Sequence, residues 1–320
     1  MNYKSDVEAI QALTEKYKLL KNEVAKAIVG QDEIVKNLII CIFSKGHCLL
    51  VGVPGLAKTL MVNSLSKALG LAYSRIQFTP DLMPSDIIGT EIIDESRKFK
   101  FIKGPIFANV ILADEINRTP PKTQSALLEA MQEKAVTTAG NTFKLEEPFF
   151  VLATQNPIEQ EGTYPLPEAQ LDRFMFNVWL DYPSLEEEKE IVRSTTSGKE
   201  SDIKVVLSQE EILFFQSVLN KIPVTEQVLQ YAVNLAVKTR PNTPNAHPWA
   251  NEYLSWGAGP RASQYFIIGA KAHAAINGKF APDIEDVQAV AVSVLRHRII
   301  RNYKADAEGI STEKIIQELL

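Results

Sequence analysis

Apolar residues recur at helical spacing from Asp6 to Ile28, pause at Ile28-Val29-Gly30-Gln31 and resume over Asp32 to Phe43, which predicts two helices before any strand. His47-Cys48-Leu49-Leu50-Val51 is a short apolar run ending at a Gly/Pro cluster, the form of a strand buried on both faces. A helix follows from about Thr59 to Leu69 and is stopped by Gly70. Comparable runs at Ala72 to Phe78, Asn109 to Ala113, Phe149 to Ala153 and Phe174 to Leu180 bring the strands to five. The intervening segments have room for crossover helices, so the pattern predicts an α/β fold with a five-stranded parallel sheet between helices. Glu91 to Phe107, and Ala135 to Leu145 around Ala139-Gly140-Asn141, alternate and turn like β-hairpins, and read as insertions.

Past Tyr182-Pro183 the period is helical throughout: Leu185 to Ser194, Gln209 to Lys221, Thr225 to Thr239, Pro260 to Asn277, Ile284 to Arg301 and Thr312 to Leu320. Asp283 stands where an N-cap would for the fifth of these. We therefore divide the chain into an αβα core, residues 1–182, and a smaller all-helical lid domain, residues 183–320. Pro241 to Gly259 reads as an extended loop whose Trp249, Tyr253 and Trp256 either pack the lid or meet a partner.

With 320 residues, 45% of them hydrophobic and 23% charged, the chain has the composition of an ordinary globular protein. A net charge of −5 gives no support to sequence-independent nucleic-acid binding, which draws on Lys and Arg. No apolar run approaches the roughly 20 residues that span a bilayer, and the acids and amides of the first segment are foreign to a signal peptide. A soluble, cytoplasmic protein is expected. Cys41 and Cys48 read as buried thiols, and the four histidines lack metal-ligand spacing.

The chemistry starts at Gly52-Val53-Pro54-Gly55-Leu56-Ala57-Lys58-Thr59, between a strand and a helix, as a Walker A loop must lie. Backbone N–H groups of such a loop, with the positive end of the next helix, cradle phosphates. Lys58 is placed to reach the β- and γ-phosphates, and Thr59 to offer its hydroxyl to Mg²⁺. Alanine replaces the usual last glycine, so the loop is expected to hold Ala57 in ordinary backbone space. Asn109-Val110-Ile111-Leu112-Ala113-Asp114-Glu115 then delivers two carboxylates at the end of a buried strand, which apolar packing alone disfavours. Asp114 fits the Walker B carboxylate that holds Mg²⁺, and Glu115 the base that polarises the attacking water.

These motifs, with Gln77-Phe78-Thr79-Pro80-Asp81, Asp114-Glu115-Ile116-Asn117-Arg118, Ala153-Thr154-Gln155-Asn156-Pro157 and Leu166 to Phe174, resemble the MoxR family of AAA+ ATPases over nearly the whole chain. More distantly they resemble the ATPase subunit of magnesium chelatase. Ala57 is an accepted variant in that family's loop. The resemblance implies ATP and Mg²⁺ as cofactors, held by Gly52 to Leu60 and Asp114, with Val29, Gly30 and Gln31 lining the adenine pocket. It implies sensor 1 at Asn156, otherwise a polar strand-end cap. Arg173 takes the place of an arginine finger donated to the neighbouring subunit, otherwise a local salt bridge to Asp172 or Glu168. Arg261 matches sensor 2, otherwise an arginine facing solvent. Gln77 is a candidate polar switch on Glu115, and Asn117 and Arg118 are candidate interface residues.

A shared site implies a homo-oligomer, and the family a hexameric ring that works on a client protein in chaperone-like remodelling, maturation or metal insertion. A von Willebrand A domain partner would have to come from another protein, since no Asp-x-Ser-x-Ser motif occurs. A magnesium-chelatase-like motor subunit, a nucleotide-gated scaffold with little turnover and a nucleic-acid motor are the alternatives. Neither a basic groove nor a helix-turn-helix supports the last.

Overall fold

The structure, a computed structural model, describes residue 3 and residues 5–93, 95, 97–138, 140–158, 162–196 and 202–320. Helices α1 (Asp6–Ala25) and α2 (Asp32–Phe43) precede strand β1 (Cys48–Val51), which helix α3 (Lys58–Ala68) follows. Strand β2 (Tyr73–Gln77), the short helix α4 (Pro84–Ile88) and the hairpin β3 (Gly89–Ile93) and β4 (Phe99–Lys103) come next. Strand β5 (Val110–Asp114), helix α5 (Pro121–Glu133), the hairpin β6 (Ala135–Thr138) and β7 (Asn141–Lys144), strand β8 (Phe150–Gln155), helix α6 (Glu168–Leu171) and strand β9 (Phe176–Trp179) complete the sheet region. Ala139 of the expected second turn, and Asp94 and Ser96 within the expected first hairpin, lie outside the described residues.

The five predicted runs form one sheet in the order β2-β5-β8-β1-β9. β2 pairs parallel with β5, β5 with β8, and β8 with β1. Every residue of β1, and all of β5 and β8 except the last of each, is buried, which is why these strands read as unbroken apolar runs instead of alternating. The two hairpins are antiparallel and touch through Phe101 and Phe143, stacked at 4.2 Å.

The remaining elements are α7 (Leu185–Thr196), α8 (Gln209–Lys221), α9 (Glu226–Lys238), α10 (Pro248–Tyr253), β10 (Leu254–Trp256), α11 (Pro260–Ile276), α12 (Ile284–Leu295), β11 (Ile300–Arg301), α13 (Tyr303–Ala307) and α14 (Thr312–Leu319). Two readings from the sequence are corrected here. The 241–259 stretch is no plain loop: His247 accepts from the Trp249 N–H to start α10, and β10 pairs antiparallel with β11. The helix read from Ile284 to Arg301 ends at Leu295, because Arg296, His297 and Arg298 turn out of the helix to bond the backbone of the 172–177 segment. Asp283 does cap α12, accepting from the Ile284 N–H while Asp286 accepts from the Asp283 N–H.

By packing, the chain forms two compact units: Lys18–Pro167 with Val178–Leu213, and Met1–Tyr17 with Glu168–Asn177 and Phe214–Leu320. The first holds β1, β2, β5, β8 and the last two residues of β9. In the second, α11 and α12 pack on each other and on α9, and α10 packs on α13 and α14. No helix among the described residues is long and apolar enough to cross a membrane.

One buried histidine ties three parts of the sheet unit together. His47 Nδ1 accepts from the Val151 N–H at 3.0 Å, and Nε2 lies 3.2 Å from the Met131 carbonyl, so the neutral ring with Nε2–H satisfies both. Burial pushes its pKa from 6.5 down to about 4, against the raising effect of the Met131 carbonyl. The unfolded chain therefore takes up this proton first as pH falls. The stability His47 contributes is whole above about pH 6.5, is lost as pH falls towards about 4 and changes no further below that. Between pH 7.5 and 5 the wild type should lose roughly 2 kcal/mol that His47→Gln does not. Urea unfolding of both proteins at the two pH values checks this; equal losses would overturn it.

Candidate functional site

The 52–57 loop leaves β1 at the sheet's C-terminal edge and enters α3 at Lys58. Gly52 is held there by its N–H, which donates to the Gln155 carbonyl at 3.2 Å, and a Cβ on it would come within 2.8 Å of the Leu180 Cβ. Gly55 has φ +87°, and Ala57 has φ 54° and ψ 25°. The expectation that Ala57 keeps ordinary backbone space is thus wrong: it adopts the left-handed conformation that glycine holds freely. Left-handed residues alternating with ordinary ones, as Gly55 and Ala57 do on either side of Leu56, point neighbouring N–H groups into one concavity, an anion nest, and the loop holds Ala57 there at a cost of roughly 1–2 kcal/mol.

Lys58 Nζ donates to the Gly52 carbonyl across the loop. Burial lowers the Lys58 pKa, while the nearby Asp114 and Glu115 carboxylates act to raise it, so loop and strand end share one electrostatic neighbourhood. Thr59 is half-buried in the first turn of α3, and Leu60 beside it is exposed. The Thr59 hydroxyl and the Asp114 carboxylate are hard oxygen donors of the kind Mg²⁺ takes, and the turned-in amides of the nest suit phosphate. The donor set therefore fits Mg²⁺ and a nucleotide polyphosphate.

At the end of β5, the Asp114 Oδ1 accepts the Thr154 hydroxyl at 2.7 Å, and Thr154 Oγ1 in turn accepts the Glu115 N–H at 2.8 Å. Asp114 Oδ2 accepts from Arg75 Nε and Nη2, at 3.2 and 2.6 Å. Glu115 is itself left-handed, with φ 57°, and its Oε2 accepts from Gln77 Nε2 and from Arg118 Nη1, both at 3.0 Å. Gln77, suggested by the sequence as a switch, does touch Glu115, and Arg118, suggested as an interface residue, is turned onto Glu115. Asn156 follows β8, on the strand beside β5, and is buried; its Oδ1 accepts from the Ile158 N–H at 3.1 Å.

Gly30 and Gln31 line a cavity of about 330 Å³ with Trp179, Asp181, Tyr182 and Glu187, and half-buried Val29 comes immediately before them. Gly30 has φ +74°, and a Cβ there would lie 2.4 Å from the Glu187 carboxyl carbon. Two aromatic side chains beside glycine backbone suit a flat heterocycle.

Arg173 and Arg261 belong to the other unit and are read within it. Neither the salt bridge offered as an alternative for Arg173 nor the solvent-facing alternative for Arg261 is what the structure has. Asp172 instead pairs with Arg261 Nη1 at 3.0 Å and with Arg298 Nε at 2.8 Å. The Arg173 guanidinium has no ion pair among the described residues, while its carbonyl accepts the Tyr265 hydroxyl at 3.4 Å. Arg298 is fully buried and donates to the carbonyls of Asp172, Phe174 and Met175 as well as to the Asp172 carboxylate, so it holds the backbone that carries Arg173.

Sequence reasoning missed Arg75, Thr154 and Arg298. Arg75 could have been found from period two, which puts it on the face of β2 that carries Gln77. Thr154 is the polar end of an apolar strand and faces Asp114 across the register that pairs Ala113 with Ala153. For Arg298 no local signal exists, since the Asp172 carboxylate and the Asp172, Phe174 and Met175 carbonyls it serves lie more than a hundred residues earlier in the chain.

Comparison with known proteins agrees with this geometry. A family model described as the ATPase family associated with various cellular activities matches residues 47–176, and one described as an AAA lid domain matches residues 247–319. The chain is 45% identical over 300 residues to Chaperone MoxR1 of Mycobacterium tuberculosis, covering 93% of this chain and 79% of that one. It is 30% identical over 295 residues to Protein MoxR of Methylorubrum extorquens, covering 87% and 86%. A crystal structure from Cytophaga hutchinsonii, described as that of a candidate ATPase, superposes with a TM-score of 0.89 at 46% identity, over 98% of this chain and 95% of that one.

The backbone of Ala57 generates a prediction. Ala57→Gly should relieve the left-handed strain and, after the entropy glycine adds to the unfolded chain, raise stability by up to about 1 kcal/mol. Ala57→Val, branched at Cβ, should lower it by about 1–2 kcal/mol. Urea midpoints decide: a glycine variant less stable than the wild type would contradict the assignment of strain.

Proposed function

The chain belongs to the MoxR family of AAA+ ATPases, and on that premise we propose that it hydrolyses Mg·ATP at interfaces between subunits and uses the cycle for chaperone-like remodelling of a client protein. The observation that carries the reading is the pair Asp114 and Glu115, fixed by Thr154 at one strand end within electrostatic reach of Lys58 in the left-handed loop.

In this reading the amides of 52–57 and the start of α3, through Leu60, hold the phosphates, and Lys58 leaves the Gly52 carbonyl to meet them. Thr59 and Asp114 would hold Mg²⁺, which when bound neutralises charge on the phosphoryl oxygens. Val29, Gly30 and Gln31, with the Trp179 and Tyr182 rings, receive the base. Glu115 takes a proton from the attacking water, which Asn156 helps to orient. Arg173 serves the site of an adjacent copy, its guanidinium left available because Asp172 is taken by Arg261 and Arg298. Arg261 reports the nucleotide's state to the helical part, so that a core of residues 1–182 and a lid of residues 183–320 exchange two arrangements.

An oligomer follows from a site completed by its neighbour, and family membership favours a hexameric ring. Maturation or metal insertion, and a von Willebrand A domain protein as go-between, are the client chemistry we favour, in the cytoplasm.

Turnover per subunit should rise with protein concentration in the wild type. Arg173→Ala should bind ATP with similar affinity yet turn over roughly a thousandfold more slowly, and Glu115→Gln at least about a hundredfold more slowly. Flat wild-type activity matched by Arg173→Ala would replace the shared site with a monomeric one.

A further inference from the structure

Asp114 offers two carboxylate oxygens, and both are engaged by this chain's own donors. Oδ1 takes the Thr154 hydroxyl, whereas Oδ2 takes two donors of one guanidinium, Arg75 Nε at 3.2 Å and Nη2 at 2.6 Å. The same Nη2 donates to Gln77 Oε1 at 2.6 Å, and the other end of that amide, Nε2, donates to Glu115 Oε2 at 3.0 Å. The strand register explains the arrangement: Gln77 lies opposite Asp114, and Arg75 lies one period back on the same face. A continuous chain of charge-assisted bonds thus runs from the carboxylate suited to a divalent cation to the carboxylate suited to a base.

Asp114 Oδ2 already accepts two N–H bonds, one for each of its lone-pair directions, so a divalent cation that binds this oxygen must displace at least one of them and meets the guanidinium charge at close range. A guanidinium is a permanent cation, so the hold on Asp114 is a competition between two cations. The Arg75 side chain is 46% exposed against 15% for Asp114, so the arginine can swing into water at little cost to itself, while the more buried Asp114 carboxylate keeps a partner only if the metal takes the vacated place. Departure of Arg75 also removes the donor that fixes the Gln77 amide, so the Gln77 Nε2 bond to Glu115 loses its anchor while Arg118 Nη1 still donates to the same oxygen.

We propose that Arg75 is a positioning residue that acts as an internal competitor of Mg²⁺: it holds Asp114, and through Gln77 it holds Glu115, until the metal takes its place on Asp114. Metal loading is thereby passed to the catalytic carboxylate through two side chains. The inference rests on the nucleotide-site reading above.

The test measures metal and nucleotide affinities separately. Binding of a fluorescent ADP analogue is measured in EDTA, and Mn²⁺ binding to the ADP-loaded protein by electron paramagnetic resonance, for the wild type, Arg75→Gln and Arg75→Lys. Nucleotide affinity in EDTA should stay within about twofold, while Mn²⁺ affinity should rise about threefold to fivefold in both variants, the size of a lost exposed ion pair. Lysine decides the cause, because it keeps the charge but loses the fork that grips Asp114 and Gln77 together. Tightening in Arg75→Gln with wild-type affinity in Arg75→Lys would overturn the proposal in favour of a diffuse charge effect, and unchanged affinity in both would overturn it outright. A wild type that binds no nucleotide in EDTA or Mn²⁺ would sink the nucleotide-site reading and this role with it. Circular dichroism confirms that the variants fold.

Discussion

A single hydroxyl sets the geometry on which the site depends. Thr154 Oγ1 donates to Asp114 and accepts from the Glu115 N–H, so the end of β8 fixes both the carboxylate of one acidic residue and the backbone of the next. With its amide committed sideways, Glu115 leaves the strand in a left-handed conformation and its side chain departs from the direction taken by Asp114. Two adjacent carboxylates would otherwise repel each other; here Thr154 holds one by its carboxylate and the next by its backbone N–H, and the two side chains have different companions. Asp114 faces the loop lysine and Arg75, and Glu115 faces Gln77 and Arg118.

The sheet was readable because parallel strands covered on both faces are written as continuous apolar runs, and all five runs became strands of one sheet. The loop and the acidic pair were readable because glycine, lysine and paired carboxylates at the ends of apolar strands have few packing explanations. What failed was conformation and direction. Nothing in the composition of 52–59 says that Ala57 must take a glycine's backbone, since that requirement comes from the closure of the loop between β1 and α3. The helical period through 296–301 was real as a pattern, yet bonds to carbonyls over a hundred residues away ended the helix at Leu295. Long-range demands of this kind leave no local trace.

The same holds for the arginines. Residue type alone marked Arg173 and Arg261 as candidates, but their different surroundings come from Asp172, which is adjacent to one in sequence and bonded to the other in space. An acid that sits beside Arg173 is thus kept from neutralising it. The roles suggested for these two residues require opposite things, one free to reach outward and one held within its own subunit, and the side-chain pairing is compatible with both.

Arg298 carries a consequence for how this sequence can drift. Its guanidinium serves the carbonyls of Asp172, Phe174 and Met175 and the Asp172 carboxylate from a wholly buried position. Lysine has three donors clustered at one point and cannot reach acceptors spread along a strand entrance, and any apolar residue would strand those acceptors in a dry interior. Position 298 and the 172–175 turn are therefore physically coupled: a substitution at one leaves polar groups of the other unsatisfied unless both change together.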